Sequence, residues 1–220
     1  MLNGFLVQML DGTLVTIELA ICSAVLGTII GLLGALFESI PIPFIRYPIM
    51  SIIFFIRGLP ELLVLFFMYF GVAALLSRIF GSYVDISPFL AGVIALGLIF
   101  GAYASQVFHG AFSAVDHGQL DAGLAMGFTR WQVFTRIQIP QAWRHAIPGL
   151  GNLWLGLIKD TAIVTLIGLT DLMTQAKIAA TATYQPFTFY LFAALIYLVI
   201  TSISQKIIDF FTLRANRYVH

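Results

Sequence analysis

Long charge-free runs dominate the chain, and their lengths predict its elements. A helix rising about 1.5 Å per residue needs about 20 mainly apolar residues to cross a hydrocarbon core of about 30 Å. Leu19–Phe37 carries no charge and extends back toward Thr13, while Leu62–Ser77 is long enough only if its helix begins near Pro48. Ile86–Val115 and Ile178–Gln205 each suffice alone, with Pro88 and Pro186 suited to a first helical turn. From Ile147 to Leu169 the run is interrupted only by Asn152 and the adjacent Lys159 and Asp160. Each half is too short to cross alone, so the segment reads as one span with a polar middle. The pattern predicts an all-α integral membrane protein of five transmembrane helices over about 13–37, 48–76, 87–110, 147–171 and 186–210, within a single domain covering residues 1–220. An odd number of spans puts the termini on opposite sides.

Composition supports the bilayer as solvent. Of 220 residues, 60% are hydrophobic and only 10% charged, against about 25% charged in an average soluble domain. A chain this poor in charge cannot cover a soluble surface. Lys and Arg total 11 against 10 Asp and Glu, so no basic excess points to nucleic acid. The lone Cys22 sits in an apolar run and reads as a small buried thiol. The opening MLNGFLVQMLDG lacks a basic region before its apolar residues, so it reads as mature sequence.

Loop charges orient the chain. With the amino terminus outside, the inner segments hold Arg46, Arg130, Arg136, Arg144, Lys206, Arg214 and Arg217, and the outer ones only Arg78 and Lys177. The bias predicts a periplasmic amino terminus and a cytoplasmic carboxyl terminus. It also places the longest non-spanning segment, about 111–145, in the cytoplasm.

That segment has the pattern of a helix-turn-helix elbow. Asp116–Met126 suits a short helix with Leu120 and Leu124 on one face. Gly127 suits the left-handed residue that ends a helix. Thr129 followed by Gln132 is a capping-box pattern, Trp131, Phe134 and Ile137 form an apolar stripe, and Pro140 closes the second helix. Taken alone, this fits a passive loop lying on lipid headgroups.

Asp121-Ala122-Gly123, Gly127, Ile137, Ile139 and Pro140 resemble, at matching spacing, the EAA motif of ABC-importer permeases. That motif reads Glu-Ala-Ala, three residues, Gly, nine residues, Ile, one residue, Leu-Pro. Asp, Gly and Ile here stand for Glu, the second Ala and Leu. Arg57-Gly58-Leu59-Pro60-Glu61, WRHAIPGLGN and Lys159-Asp160-Thr161-Ala162 are similar to segments of the polar amino-acid permeases, in the family's order, so the resemblance runs from about Gly12 to Leu213. SPFLAGVIALGL, AYASQVF and IYLVITSISQ resemble its arginine-transporting subgroup.

The resemblance implies a permease of the bacterial inner membrane that moves arginine, or another polar amino acid such as histidine, lysine or glutamine. It implies a pair of ATP-binding subunits, a second permease (a paralogue, otherwise an identical copy) and a periplasmic amino-acid-binding protein. The elbow would be the coupling helix between spans three and four, docked on the ATPase through Asp121 and its neighbours. No GxxxxGK[ST] loop is present, so ATP and Mg belong to the partner and this chain is expected to hold no cofactor of its own.

Ionisable groups inside spans mark function unless paired or wetted. Neighbours on a helix point about 100° apart, so Lys159 and Asp160 make no ideal mutual pair. Asp160 could receive a guanidinium bidentately, with Asn152 on nearly the same face and Thr161 beside it. The alternative is a structural or gating Asp160. Arg57 and Glu61 are spaced for an i, i+4 ion pair opening span two, or for a gate. Glu18 reads as interfacial. Gly27, Gly31 and Gly34 permit close helix approach, read as internal packing rather than a dimer seam.

His109, His117, His145 and His220 lack ligand spacing, so no metal site is expected. An intramembrane enzyme would need a nucleophile with a base, or a metal set, on facing spans, and the histidines lie in loops, at a span end or at the tail. A non-transporting assembly subunit is the other competitor.

Overall fold

The computed structural model describes residues 2–216, and every regular element among them is helical. The order is α1 Leu2–Glu38, α2 Pro43–Gly58, α3 Glu61–Phe80, α4 Pro88–Ser113, α5 His117–Ala125, α6 Arg130–Ile167, α7 Leu172–Thr183 and α8 Pro186–Asn216. Five of them, α1, α3, α4, α6 and α8, are long and apolar enough to cross a membrane. Arg217 and His220 lie outside the described residues.

α4 is the most enclosed of these helices and organises the rest. Its seam with α1 is built from small residues. A Cβ added to Gly27 would stand 2.7 Å from the Gly97 carbonyl oxygen, and one on Gly31 would stand 2.6 Å from the Ala104 Cβ. Backbones therefore approach where lipid offers no hydrophobic drive to associate, and contact itself holds the pair. The three α1 glycines serve internal packing, as their spacing predicts. A second cluster joins the start of α1 to α7 and α8 through Met9, Leu172, Ala176 and Phe189.

Four features depart from the pattern read along the chain. The segment expected to cross as one helix over 48–76 is divided: Leu59 (φ −87°, ψ 142°) and Pro60 (φ −58°, ψ 133°) are extended between α2 and α3. The residue before a proline is pushed out of the helical region by the ring, which accounts for the break. Pro140, conversely, does not close a helix. α6 runs through it, and the wider π turn at Phe134–Gln138 just upstream absorbs the missing N–H and the ring's steric demand. Cys22 is exposed rather than buried, because the apolar run it belongs to has an outward face as well as a packed one. The helix around it also starts earlier than expected, at Leu2.

The fourth span is continuous through its polar middle, as predicted. α6 is 38 residues long, and immediately after Asp160 its geometry tightens into a 3₁₀ stretch, Thr161–Ile167.

Candidate functional site

α3, α4 and α6 enclose a cavity of about 170 Å³. Glu61 enters from the first turn of α3, directly after the Leu59–Pro60 break. Tyr103 contributes an aromatic wall from α4, with Leu96 and Ile99 on the same helix. Asn152, Gly156 and Asp160 form a stripe at four-residue spacing on α6. Gly156 keeps the middle of that stripe open: a Cβ there would lie 3.8 Å from Asp160 Oδ2, and longer side chains would fill the space beside the carboxylate. Irregular backbone within a membrane protein is tolerated where it is buried in protein or lines a cavity, and the α2–α3 break directly precedes Glu61 of this lining.

The structure thus brings Asn152 and Asp160 to one wall, as their spacing predicts. It separates other expected partners. Arg57 and Glu61 do not form the anticipated i, i+4 ion pair, because that pair needs continuous helix and the extended Leu59 and Pro60 lie between them. Among the described residues the single acid–base contact within 4.0 Å is between Glu38 and His109, an ion pair only when the imidazole is protonated. Arg57 instead places its guanidinium carbon 5.2 Å from the centroid of the Tyr103 ring. Thr161 is fully buried away from the cavity lining, its hydroxyl donating to the Ile158 carbonyl at 2.6 Å. It closes the α-helical part of α6 rather than lining a path. Lys159 is exposed.

Chain-order reading missed Tyr103, since an aromatic in an apolar run looks like packing. It also missed a buried carboxylate at the end of α1. Glu38 is 3% exposed and accepts hydrogen bonds from Gln106 Nε2 at 3.2 Å and from Ser105 Oγ at 3.5 Å, with His109 Nδ1 3.9 Å away. The adjacent polar pair Ser105-Gln106 inside an apolar span was the available signal. Glu18 is exposed.

The elbow of α5 and the start of α6 is locally determined. Asp116 caps α5 by accepting from the Gly118 N–H at 2.6 Å. Gly127 takes φ 86° after α5, and the Phe128 N–H returns to the Gly123 carbonyl at 3.1 Å. Thr129 and Gln132 form the capping box reciprocally, at 3.2 and 2.9 Å. Gly123 is buried under Ile137, whose Cδ1 would be 2.6 Å from a Cβ at 123. Glycine at that motif position thus lets the two helices close on each other.

Phe134 stacks against both Phe112 at the end of α4 and Trp131. Gln141 Nε2 donates to Gln119 Oε1 at 2.6 Å, tying α6 back to α5. Leu120 packs toward the main core, and Ile139 lines an apolar cavity with Phe134 and Trp143. Pro140 is exposed within α6. Asp121 and Ala122 face outward, and Met126 and Trp131 are 77% and 71% exposed, so the elbow presents polar and large apolar groups side by side.

Residues 25–217 match the family described as "Binding-protein-dependent transport system inner membrane component". The chain is 45% identical to the arginine ABC transporter permease protein ArtQ of Haemophilus influenzae, over 99% of this chain and 98% of that one. It is 41% identical to the histidine/lysine/arginine/ornithine transport system permease protein HisQ of Escherichia coli K12, over 96% and 94% respectively. The fold is similar to the crystal structure of an amino acid ABC transporter with histidines, with a TM-score of 0.86 at 33% identity over 97% of this chain and 96% of that one.

Proposed function

Because the chain belongs to the binding-protein-dependent transport system inner membrane component family, we propose that the α3–α4–α6 cavity is its substrate site and arginine its substrate. The observation that carries this is that Glu61 from α3 and Asp160 from α6 line one cavity together with the aromatic ring of Tyr103 from α4. Carboxylates accept a planar guanidinium bidentately, and an aromatic face attracts a cation. Asn152 adds a neutral donor and acceptor on the same stripe. The reading predicts a positively charged side chain on the substrate.

The chain is a multi-pass membrane protein, set in the bacterial inner membrane with its amino terminus periplasmic and its carboxyl terminus cytoplasmic. It works beside a second permease, a paralogue in this reading, with a pair of ATP-binding subunits below and a periplasmic amino-acid-binding protein above. ATP and Mg are bound by those subunits. Asp121, Ala122, Met126 and Trp131 on the elbow meet the ATPase.

Coupling follows from α6, which carries both the second half of the elbow and the cavity stripe. From Arg130 to Asp160 the helix reaches roughly 45 Å at about 1.5 Å per residue. Movement of the elbow as the ATPases close is thus delivered to Asn152 and Asp160 through one element. The π turn at 134–138 and Pro148 are the places where that lever bends. Packed helices switch between discrete arrangements rather than deforming smoothly, so a small shift at the elbow opens the cavity to one side or the other.

Uptake of labelled arginine by cells with and without this chain, competed by lysine, histidine, glutamine and glutamate, tests the substrate. Loss of uptake competed best by basic amino acids is expected; persistence of arginine uptake while another polar amino acid fails to enter overturns the arginine assignment. A second reading, an importer of histidine, lysine and ornithine as well as arginine, is favoured by the relative named for those four, and equal competition by them selects it. Coupling is checked separately. Disrupting Gly127 or Asp121 should release the ATP-binding subunit during purification, and retention in both variants overturns the elbow's role.

A further inference from the structure

We propose that Arg57 anchors the α-carboxylate of the transported amino acid, an inference that rests on the cavity being the substrate site. It begins from charge balance. The cavity is lined by Glu61 and Asp160, and no lysine or arginine stands among its lining residues. A basic amino acid brings two cations, the side chain and the α-ammonium, which match those carboxylates. It also brings an α-carboxylate, which faces like charge unless a cation meets it. Like charges in a partly dehydrated site repel strongly, so the ligand needs a cation at the rim.

Arg57 is placed there. Its guanidinium carbon lies 5.2 Å from the centroid of the Tyr103 ring, and that ring is part of the cavity wall. The contact is with an aromatic face, leaving the N–H edge of the guanidinium available. Among the described residues Arg57 forms no ion pair, although Glu61 follows four positions later. The Leu59–Pro60 break uncouples those side chains and sets the last turn of α2 beside Tyr103. A planar guanidinium with two parallel N–H donors suits a carboxylate better than a lysine ammonium does. Lys159 is the rival cation by proximity to Asp160; both cations are exposed, but Lys159 points about 100° away from that neighbour, whereas Arg57 lies against a ring of the cavity wall.

The test uses the full transporter with its ATP-binding subunits in nanodiscs, without the periplasmic binding protein, which would impose its own selectivity. Equilibrium binding of labelled arginine is compared with that of agmatine, which is arginine without its carboxylate. The unaltered transporter should prefer arginine by about tenfold or more, the worth of a charge-assisted hydrogen bond. In Arg57→Gln that preference should collapse toward one, while Arg57→Lys keeps part of it and Lys159→Gln keeps it whole. Agmatine binding to Arg57→Gln doubles as the check that the variant is folded.

A preference retained in Arg57→Gln, or lost in Lys159→Gln instead, overturns the proposal. Asp160→Asn separates the two levels. If it weakens both ligands and Arg57→Gln leaves the preference intact, the cavity assignment stands and the anchor falls. If Asp160→Asn leaves both ligands bound as before, the cavity assignment falls and takes the anchor with it.

Discussion

α4 has two working faces, and they solve opposite problems. Toward α1 it presents Gly97, Gly101, Ala104 and Ser105, and α1 answers with Gly27, Gly31 and Gly34. Leu26, Ile30 and Phe100 fold over those glycines at contact distance, filling the space their missing side chains leave. Toward α3 and α6 the same helix presents Leu96, Ile99 and Tyr103 to open space containing acidic groups. The first face is interlocked at contact distance around small residues, so it has little room to repack and behaves as a rigid unit. The second is bordered by a helix break, a glycine and a 3₁₀ stretch, which are the features that let helices move against each other. Rigidity and movement are therefore divided between faces of one helix rather than between domains.

The comparison is broken most severely by putting bulk into the seam. Gly31→Leu should cost about 1–3 kcal/mol or more from overpacking, because even a Cβ there stands 2.6 Å from Ala104. Loss of monodisperse protein after solubilisation is the expected readout; a Gly31→Leu variant as stable as its parent would mean the seam is slack. Next in size is the open face. Asp160→Asn should leave folding intact yet weaken arginine binding by about tenfold to a hundredfold, the worth of a charge-assisted hydrogen bond to a cation. Equilibrium binding measures it, and an unchanged affinity would remove the carboxylate from the site.

Gly156→Val sharpens the contrast between the two kinds of glycine. Its side chain fills cavity rather than a seam, so transport should fall severalfold while the melting temperature stays within a few degrees, an overpacking cost of about 1 kcal/mol or less. A collapse in stability like that of Gly31→Leu would show that the two glycines do the same job. The smallest effect belongs to the outer side of α1. Cys22→Ala, at an exposed position, should change stability by no more than about 0.5 kcal/mol. A large loss in a thermal-shift measurement would reveal that a partner subunit covers that face.

How much of this was legible along the chain depended on whether the deciding interaction was local. The elbow's turn was readable, though not its far end, where the second helix runs on through Pro140. Asp116, Gly127 and the Thr129–Gln132 box act on backbone groups within a few residues, so their spacing is their geometry. The Asn152–Asp160 stripe was readable for the same reason, since helical period alone puts them on one face. Glu61 was assigned to the wrong partner: spacing to Arg57 is meaningful only if the helix is continuous, and the proline between them ends that continuity. Thr161 was misplaced because position next to Asp160 says nothing about which side of a tightening helix it takes. Tyr103 and Gly156 gave no readable pattern, and the polar pair Ser105-Gln106 marked a contact without naming its partner Glu38, because each acquires its role from a segment more than forty residues away or from empty space.

The sequence by itself determined the solvent, the helical class, the number of apolar spans, the caps of the elbow and the single long span carrying Lys159 and Asp160. Each rests on hydrophobicity or on hydrogen bonds within a few residues, quantities that add up along the chain. Only the tertiary structure decided that Arg57 turns from Glu61 to Tyr103, that Cys22 faces outward, and that Glu61, Tyr103 and Asp160 share one cavity. Those outcomes depend on which faces of distant helices meet. In a chain that is 60% hydrophobic nearly every face is apolar, so polarity cannot choose between them, and the small residues that let one pair of backbones close leave the other face open.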